Sequence, residues 1–463
     1  MKRDSIDFAK TDISKLFVKL FIPTLLGMLF TSLLNIADGA FLGRGVGSDA
    51  LAAVNIVAPL YLVTAGVSLM FASGVSVVAA IHLSKGNVKA ACINVTQAFT
   101  VPLLLMALIV GVLVLFPRET TFLFGGSERL VPMVTDYLVY VSPTMLMCVI
   151  LYVGMFVLRL DGAPNYAMTA NIINSVLNIV LDYVFIFPLG MGVKGAAIAT
   201  SISTATGALI ILAYFFCCSK KIHLYMPKFT LKAIRLTLRN VGYMMKVGLS
   251  MLVGETAMAC MMIVGNFMFM SRLNEEGVAA FSVACYLTPL VFMVGNAVSQ
   301  SSLPIVSYNY GLKNYQRIAT TFRLIMKVAT IAGVLITAMG IWGGEWLVGL
   351  FLEQGIPAWQ IAVEGFPLFS LGFAFFTLNL VLIGYYQGMK CSRQSTVFML
   401  LRGYLFVVPF FLLLPQLAGN AGLWLAVPLS ELLTCITILI YYKMKNDKMT
   451  ILNYLIGLGD KRR

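Results

Sequence analysis

The sequence is poor in charge, in histidine and in cysteines placed where a disulfide could persist. Only 11% of its 463 residues are charged, against 60% hydrophobic. A soluble chain of this length needs far more charge on its surface, so a water-facing globular class is excluded. The two histidines, His82 and His223, stand far apart and give no basis for a His-rich metal cluster or a catalytic dyad. The eight cysteines fall in apolar runs or on the side rich in basic residues, so no disulfide framework is implied.

What is present is a series of apolar runs of about 20 residues or more, the length a helix needs to cross hydrocarbon; barrel strands alternate over about 10. Twelve spans are predicted, near 16–42, 51–82, 92–116, 131–157, 166–187, 193–217, 244–271, 278–308, 321–349, 361–386, 396–415 and 421–442. With both termini cytoplasmic, 27 of the 33 basic residues fall inside and five (Arg44, Arg118, Arg129, Lys194 and Arg272) outside, while Arg402 lies within a span. That asymmetry sets the orientation. It also accounts for the net charge of +14 through contact with anionic membrane lipid, without a nucleic-acid partner. The opening MKRDSIDFAKTDISKLF is too charged for a cleaved signal and reads as a cytoplasmic arm.

The chain repeats itself. A shift of 227 residues superimposes Lys19 on Lys246, Leu25 on Leu252, Gly27 on Gly254, Ala52 and Ala53 on Ala279 and Ala280, Leu60 on Leu287, Val67 on Val294, Asn87 on Asn314, Gly195 on Gly422 and Ala199 on Ala426. The predicted fold class is an all-α membrane protein of twelve transmembrane helices. They form two six-helix bundles, 1–217 and 244–463, joined by a cytoplasmic linker at 218–243 and related by a pseudo-twofold axis along the membrane normal. Gly27, Gly74, Gly254 and Gly295 are expected at close helix contacts.

Polar residues interrupt this apolar background at matched depth. In NSVLNIVLDYVF of span 5, Asn178 and Asp182 are four residues apart and share a helix face. Asp38, in SLLNIADGAFLG of span 1, and Thr200, about two turns into span 6, reach a similar distance from the outer end. A lone Asn or Thr in a membrane helix is usually interhelical glue. Two carboxylates at one depth, with an amide four residues before one of them, point instead to a proton or cation site, since a buried pair must pair or titrate.

These stretches resemble the multidrug and toxic compound extrusion (MATE) family of efflux transporters, in particular its MepA-like branch. The resemblance rests on IPTLLGMLFTSLLNIADGAFLG, on LRLDGAPNYAMTANIINSVLNIVLDYVFIFPLGMGVKGAAIAT, whose R-x-D-G-x-P runs from Arg159 to Pro164, and on the repeat. It implies a monomeric antiporter of a bacterial inner membrane, not an enzyme. Such a protein needs no cofactor and exports small organic cations against inward flow of H+ or Na+. It also implies a cation site of Asp38, Asn178, Asp182 and Thr200, the set the depth argument selects, which would ligate the metal if the ion is sodium.

The second repeat lacks that site: the shift places Asp38 on Gly265, Asn178 on Leu405, Asp182 on Pro409 and Thr200 on Val427. It carries Glu255, Arg402 and Glu431 instead, where Arg402 either neutralises one of the acids or contributes to substrate binding. One branch of the family pairs a span 7 Glu, matched by Glu255, with a span 10 Asp; span 10 here has no carboxylate past Glu364 at its mouth. AMACMMIVGNFMFM in span 7 is the first candidate for the substrate lining, because Met adapts its shape and rings attract cations. A flippase for a lipid or polysaccharide precursor is the alternative on this architecture.

Overall fold

The computed structural model describes residues 7–45, 48–123, 128, 131–219, 221–225 and 230–445. The first six residues and the basic tail after 445, both read as cytoplasmic, lie outside them. In chain order the helices are α1 (Ile13–Gly45), α2 (Ser48–Ser84), α3 (Val88–Leu115), α4 (Pro117–Leu123), α5 (Val131–Leu160), α6 (Pro164–Ile186) and α7 (Gly192–Cys217). There follow α8 (Leu231–Gly311), α9 (Tyr315–Trp342), α10 (Gly344–Gly349), α11 (Pro357–Ser370), α12 (Phe373–Gly388), α13 (Ser392–Leu400), a π-helical segment (Leu401–Phe406) and α14 (Val407–Lys445). No strand occurs among the described residues.

The long elements resolve into the spans read from hydropathy. Helix α8 has 81 residues; straight, it would be roughly 120 Å long, about four times the thickness of a hydrocarbon core of ~30 Å. It breaks at Asn274, with φ 56° and ψ −154°, between the predicted spans 244–271 and 278–308. Helix α14 breaks in the same way at Ala418 and Gly419, between 396–415 and 421–442. Helices α11 and α12 meet at 44° and together make the tenth span. With these breaks counted, the architecture is twelve membrane helices. Leu104, Leu108 and Leu115 of α3, Phe216 of α7 and Trp342 of α9 are each more than two-thirds exposed. Such a surface is suited to hydrocarbon and not to water.

The chain packs as two compact units, residues 1–255 with 307–313, and 256–306 with 314–463. Sequence repeat and packing unit therefore differ over the first part of α8. The reason is a close backbone approach: a Cβ on Gly74 of α2 would strike the Met244 carbonyl, and one on Gly248 of α8 the Met70 carbonyl. Small residues at such crossings let helices meet where lipid supplies no hydrophobic drive. Residues 307–313 join unit 1 through Asn309, whose Nδ2 donates to the Phe8 carbonyl at 3.4 Å, and through the Phe8 and Tyr308 rings, 5.5 Å apart.

Within unit 1, α5 packs on α2 and α7, and α6 on α1 and α7. Unit 2 is held by an aromatic core. Phe269 stacks on Phe281 at 4.6 Å and meets Trp424 edge-on at 4.9 Å, with Phe366, Phe369, Phe373 and Phe411 around them. The Met-rich stretch divides: Met261, Met268 and Phe269 enter this core, while Ile263 and Phe267 point outward at 69% and 72% exposure.

Candidate ion-coupling site

Unit 1 brings together the four residues singled out by depth. Helix α6 starts at Pro164, which occupies the first turn where its missing N–H costs nothing, and its buried face carries Asn171, Asn174, Ser175, Asn178 and Asp182. Asp182 is fully buried and Asn178 nearly so, while Asp38 on α1 is half-buried. The Asp38 and Asp182 carboxylates lie within hydrogen-bonding reach of each other. Two carboxylates form such a bond only when one of them holds a proton, because an ionised carboxylate only accepts.

Asn178 links this pair to α7. One end of its amide is 3.0 Å from Asp182 Oδ2 and the other 3.2 Å from Thr200 Oγ1. The orientation that satisfies both ends places the amide nitrogen toward Asp182 Oδ2, to which it donates at 3.0 Å, and the amide oxygen toward Thr200, where it accepts from N and Oγ1, both at 3.2 Å. Thr200 Oγ1 also lies 2.9 Å from the Ala196 carbonyl, its alternative acceptor.

The oxygens left over define what the site can hold. Asp38 Oδ1 and Asp182 Oδ1 are buried and accept no hydrogen bond. Unpartnered buried acceptors are costly, and carboxylate oxygens left over in this way suit a proton or a hard cation such as sodium. Depth reasoning left out Asn171, Asn174 and Ser175. Their signal was already in the sequence: positions 171, 174, 175, 178 and 182 fall on one helical stripe. Asn171 Nδ2 donates to the Gly27 carbonyl at 2.7 Å and to Thr31 Oγ1 at 2.8 Å, which ties α6 to α1 about three helical turns along from Asp182.

Two of the charged residues of the second repeat pair with each other. Arg402 donates from Nε to Glu431 Oε1 at 2.6 Å, within unit 2. Glu255 belongs to unit 1, on the turn of α8 that packs beside Gly66 of α2.

Comparison with known proteins gives the family. The MatE family model matches residues 23–184 and 240–413. The chain belongs to this family of transporters. Similar curated proteins are an FAD transporter of Shewanella oneidensis, 24% identical over 93% of this chain and 94% of that one. Another is the multidrug export protein MepA of Staphylococcus saprophyticus, 21% identical over 96% of both. Among solved structures, an outward-facing multidrug resistance MATE transporter of the MOP superfamily superposes with a TM-score of 0.86 at 22% identity, over 96% of this chain and 99% of that one. A MOP superfamily transporter from Pyrococcus furiosus, described by a reversed polarity of its binding pocket, gives 0.84 at 22% identity over the same shares. These structures share the twelve-helix fold. MATE proteins are transporters, and the enzyme class is set aside on that ground.

Proposed function

We propose that this MATE transporter is an antiporter that exports amphipathic organic compounds, organic cations among them, against inward flow of protons or sodium, by alternating access. The observation that carries the reading is the pair Asp38 and Asp182 within hydrogen-bonding reach, with unpartnered oxygens on both and Asn178 and Thr200 beside them. Ionised, the pair attracts a cationic solute and keeps α1 in one packing against α6. A proton or sodium ion arriving from outside neutralises the pair, and that packing loses its electrostatic support. Pro23 removes one backbone donor of α1 and lowers the cost of bending there.

Solute and ion then bind antagonistically even without touching, because each favours a different state of the same helices. Equilibrium binding of a fluorescent organic cation, followed across a pH series with and without sodium, checks this. Affinity should fall as either ion is raised in the wild type, and the fall should vanish in Asp38→Asn. Affinity indifferent to both ions overturns the competition. The driving ion is read from uptake into vesicles under an imposed pH or sodium gradient, with headgroup flipping in protein-free and protein-containing liposomes as the arm that separates solute export from lipid flipping.

A further inference from the structure

Unit 2 gathers its own buried polar cluster, and its hydrogen bonding is lopsided. Glu431 is satisfied on both oxygens: Oε1 accepts from Arg402 Nε at 2.6 Å and Oε2 from Asn379 Nδ2 at 2.7 Å, which also reaches the Glu431 carbonyl at 2.8 Å. Arg402 is not. Beyond Nε, Nη1 points to the Met399 sulfur at 3.6 Å. A thioether is a weak acceptor, so of the five N–H groups of the guanidinium one meets an oxygen. The guanidinium Cζ lies 3.8 Å from the Phe376 ring centroid and 5.6 Å from that of Phe292, and the two rings stack on each other at 3.7 Å. Asn379 Oδ1, on a fully buried residue in the same cluster, accepts nothing.

Arg402 also sits on the π-helical segment Leu401–Phe406, whose opened turn is tied to α14 by Ser430 Oγ, donating to the Arg402 carbonyl at 3.1 Å. Wide turns of this kind are common where a helix presents a functional side chain. The two rings flank the guanidinium, and Glu431 fixes it by its Nε edge only. What remains is the Nη pair, the arrangement that grips a carboxylate or phosphate through two parallel hydrogen bonds. The free Asn379 oxygen calls for a donor, such as a hydroxyl, near that group.

We propose that Arg402, oriented by Phe376, Phe292 and Glu431 and joined by Asn379, is an oxyanion subsite in unit 2 that takes the phosphate or carboxylate of an amphipathic, hydroxyl-bearing molecule. Resting on the transport reading above, this extends the substrate class from organic cations to anions and zwitterions. The same chemistry is offered by a free phosphorylated solute and by an anionic lipid headgroup, and the test separates them.

The purified protein is titrated with flavin mononucleotide and with riboflavin, which differ by one phosphate, in nanodiscs of neutral phosphatidylcholine and in discs containing phosphatidylglycerol. In neutral discs the phosphorylated flavin should bind at least about tenfold tighter, the scale of a charge-assisted bidentate contact. In Arg402→Met with Glu431→Gln, which removes both charges together, the preference should disappear while thermal unfolding stays cooperative; Arg402→Lys, a point charge without the fork, should retain part of it. Phosphatidylglycerol that displaces the flavin mononucleotide from wild type and not from the double variant assigns the site to a lipid phosphate. Equal binding of the two flavins by wild type together with no competition from the lipid, or a preference that survives the double substitution, overturns the proposal and leaves Arg402 a structural ion pair filled out by water. Because no ion gradient is imposed, a failure of ion coupling leaves this measurement readable.

Discussion

Where unit 1 carries acids, unit 2 carries rings and imino acid. In the register of the 227-residue repeat Asp38 corresponds to Gly265, which lies against the Phe281 ring with no room for a Cβ, and Asp182 corresponds to Pro409. The reverse also holds. Arg402 and Glu431 of unit 2 correspond to Ser175 and Thr204 of unit 1, two small buried hydroxyl residues. Packing positions such as Gly195 and Gly422, or Ala199 and Ala426, have stayed the same while charge has moved. The two clusters also differ in kind: unit 1 has acids with oxygens to spare, and unit 2 has an ion pair with guanidinium N–H groups to spare.

The strongest way to break this contrast is to neutralise the acids. Asp38→Asn and Asp182→Asn should each reduce gradient-driven export in vesicles to the passive leak, with protein still present in the membrane. Either substitution leaves an isostere in place, so the loss isolates charge and protonation from shape. Export at the wild-type rate in both variants removes the coupling site from unit 1.

Stability separates the clusters next. Glu431→Leu leaves the Arg402 guanidinium without its counter-charge in a buried setting, which should cost about 3–5 kcal/mol, whereas Arg402→Met with Glu431→Leu should fall within about 1–2 kcal/mol of wild type. In unit 1 the sign differs: Asp182→Asn removes a buried acid that has no basic partner among the described residues, so unfolding in detergent should move little or toward higher temperature. A double variant in unit 2 as unstable as the single one would mean that the pair cannot be replaced by apolar packing.

Much of this was legible in the sequence, for unequal reasons. The spans and the outer acids stand out because a polar group in hydrocarbon costs so much that chance rarely leaves one there. Asn178 and Thr200 were readable from spacing, and Asn171 and Asn174 were readable in principle on the same stripe. The partner of Arg402 was not. Glu431 and Glu255 were equal candidates by hydropathy, and what assigns Glu255 to unit 1 is the crossing of α2 and α8 at Gly74 and Gly248, a contact between segments about 170 residues apart that leaves no local pattern. The π-helical turn was equally hidden, because one extra residue in a turn changes neither composition nor apolar run length.

The smallest expected effect comes from Thr200. Thr200→Ala removes a hydroxyl and keeps the backbone N–H, so the Asn178 oxygen loses one donor and retains the other, Thr200 N at 3.2 Å. No charge is removed and Asp38, Asp182 and Asn178 stay in place, so the loss is that of one neutral hydrogen bond, about 0.5–1.5 kcal/mol. Gradient-driven export from Thr200→Ala vesicles should therefore persist at a rate within about tenfold of wild type, under conditions where Asp38→Asn and Asp182→Asn fall to the passive leak. Export at the leak level in Thr200→Ala would mean that the hydroxyl oxygen is itself a ligand of the coupling ion and does more than orient Asn178.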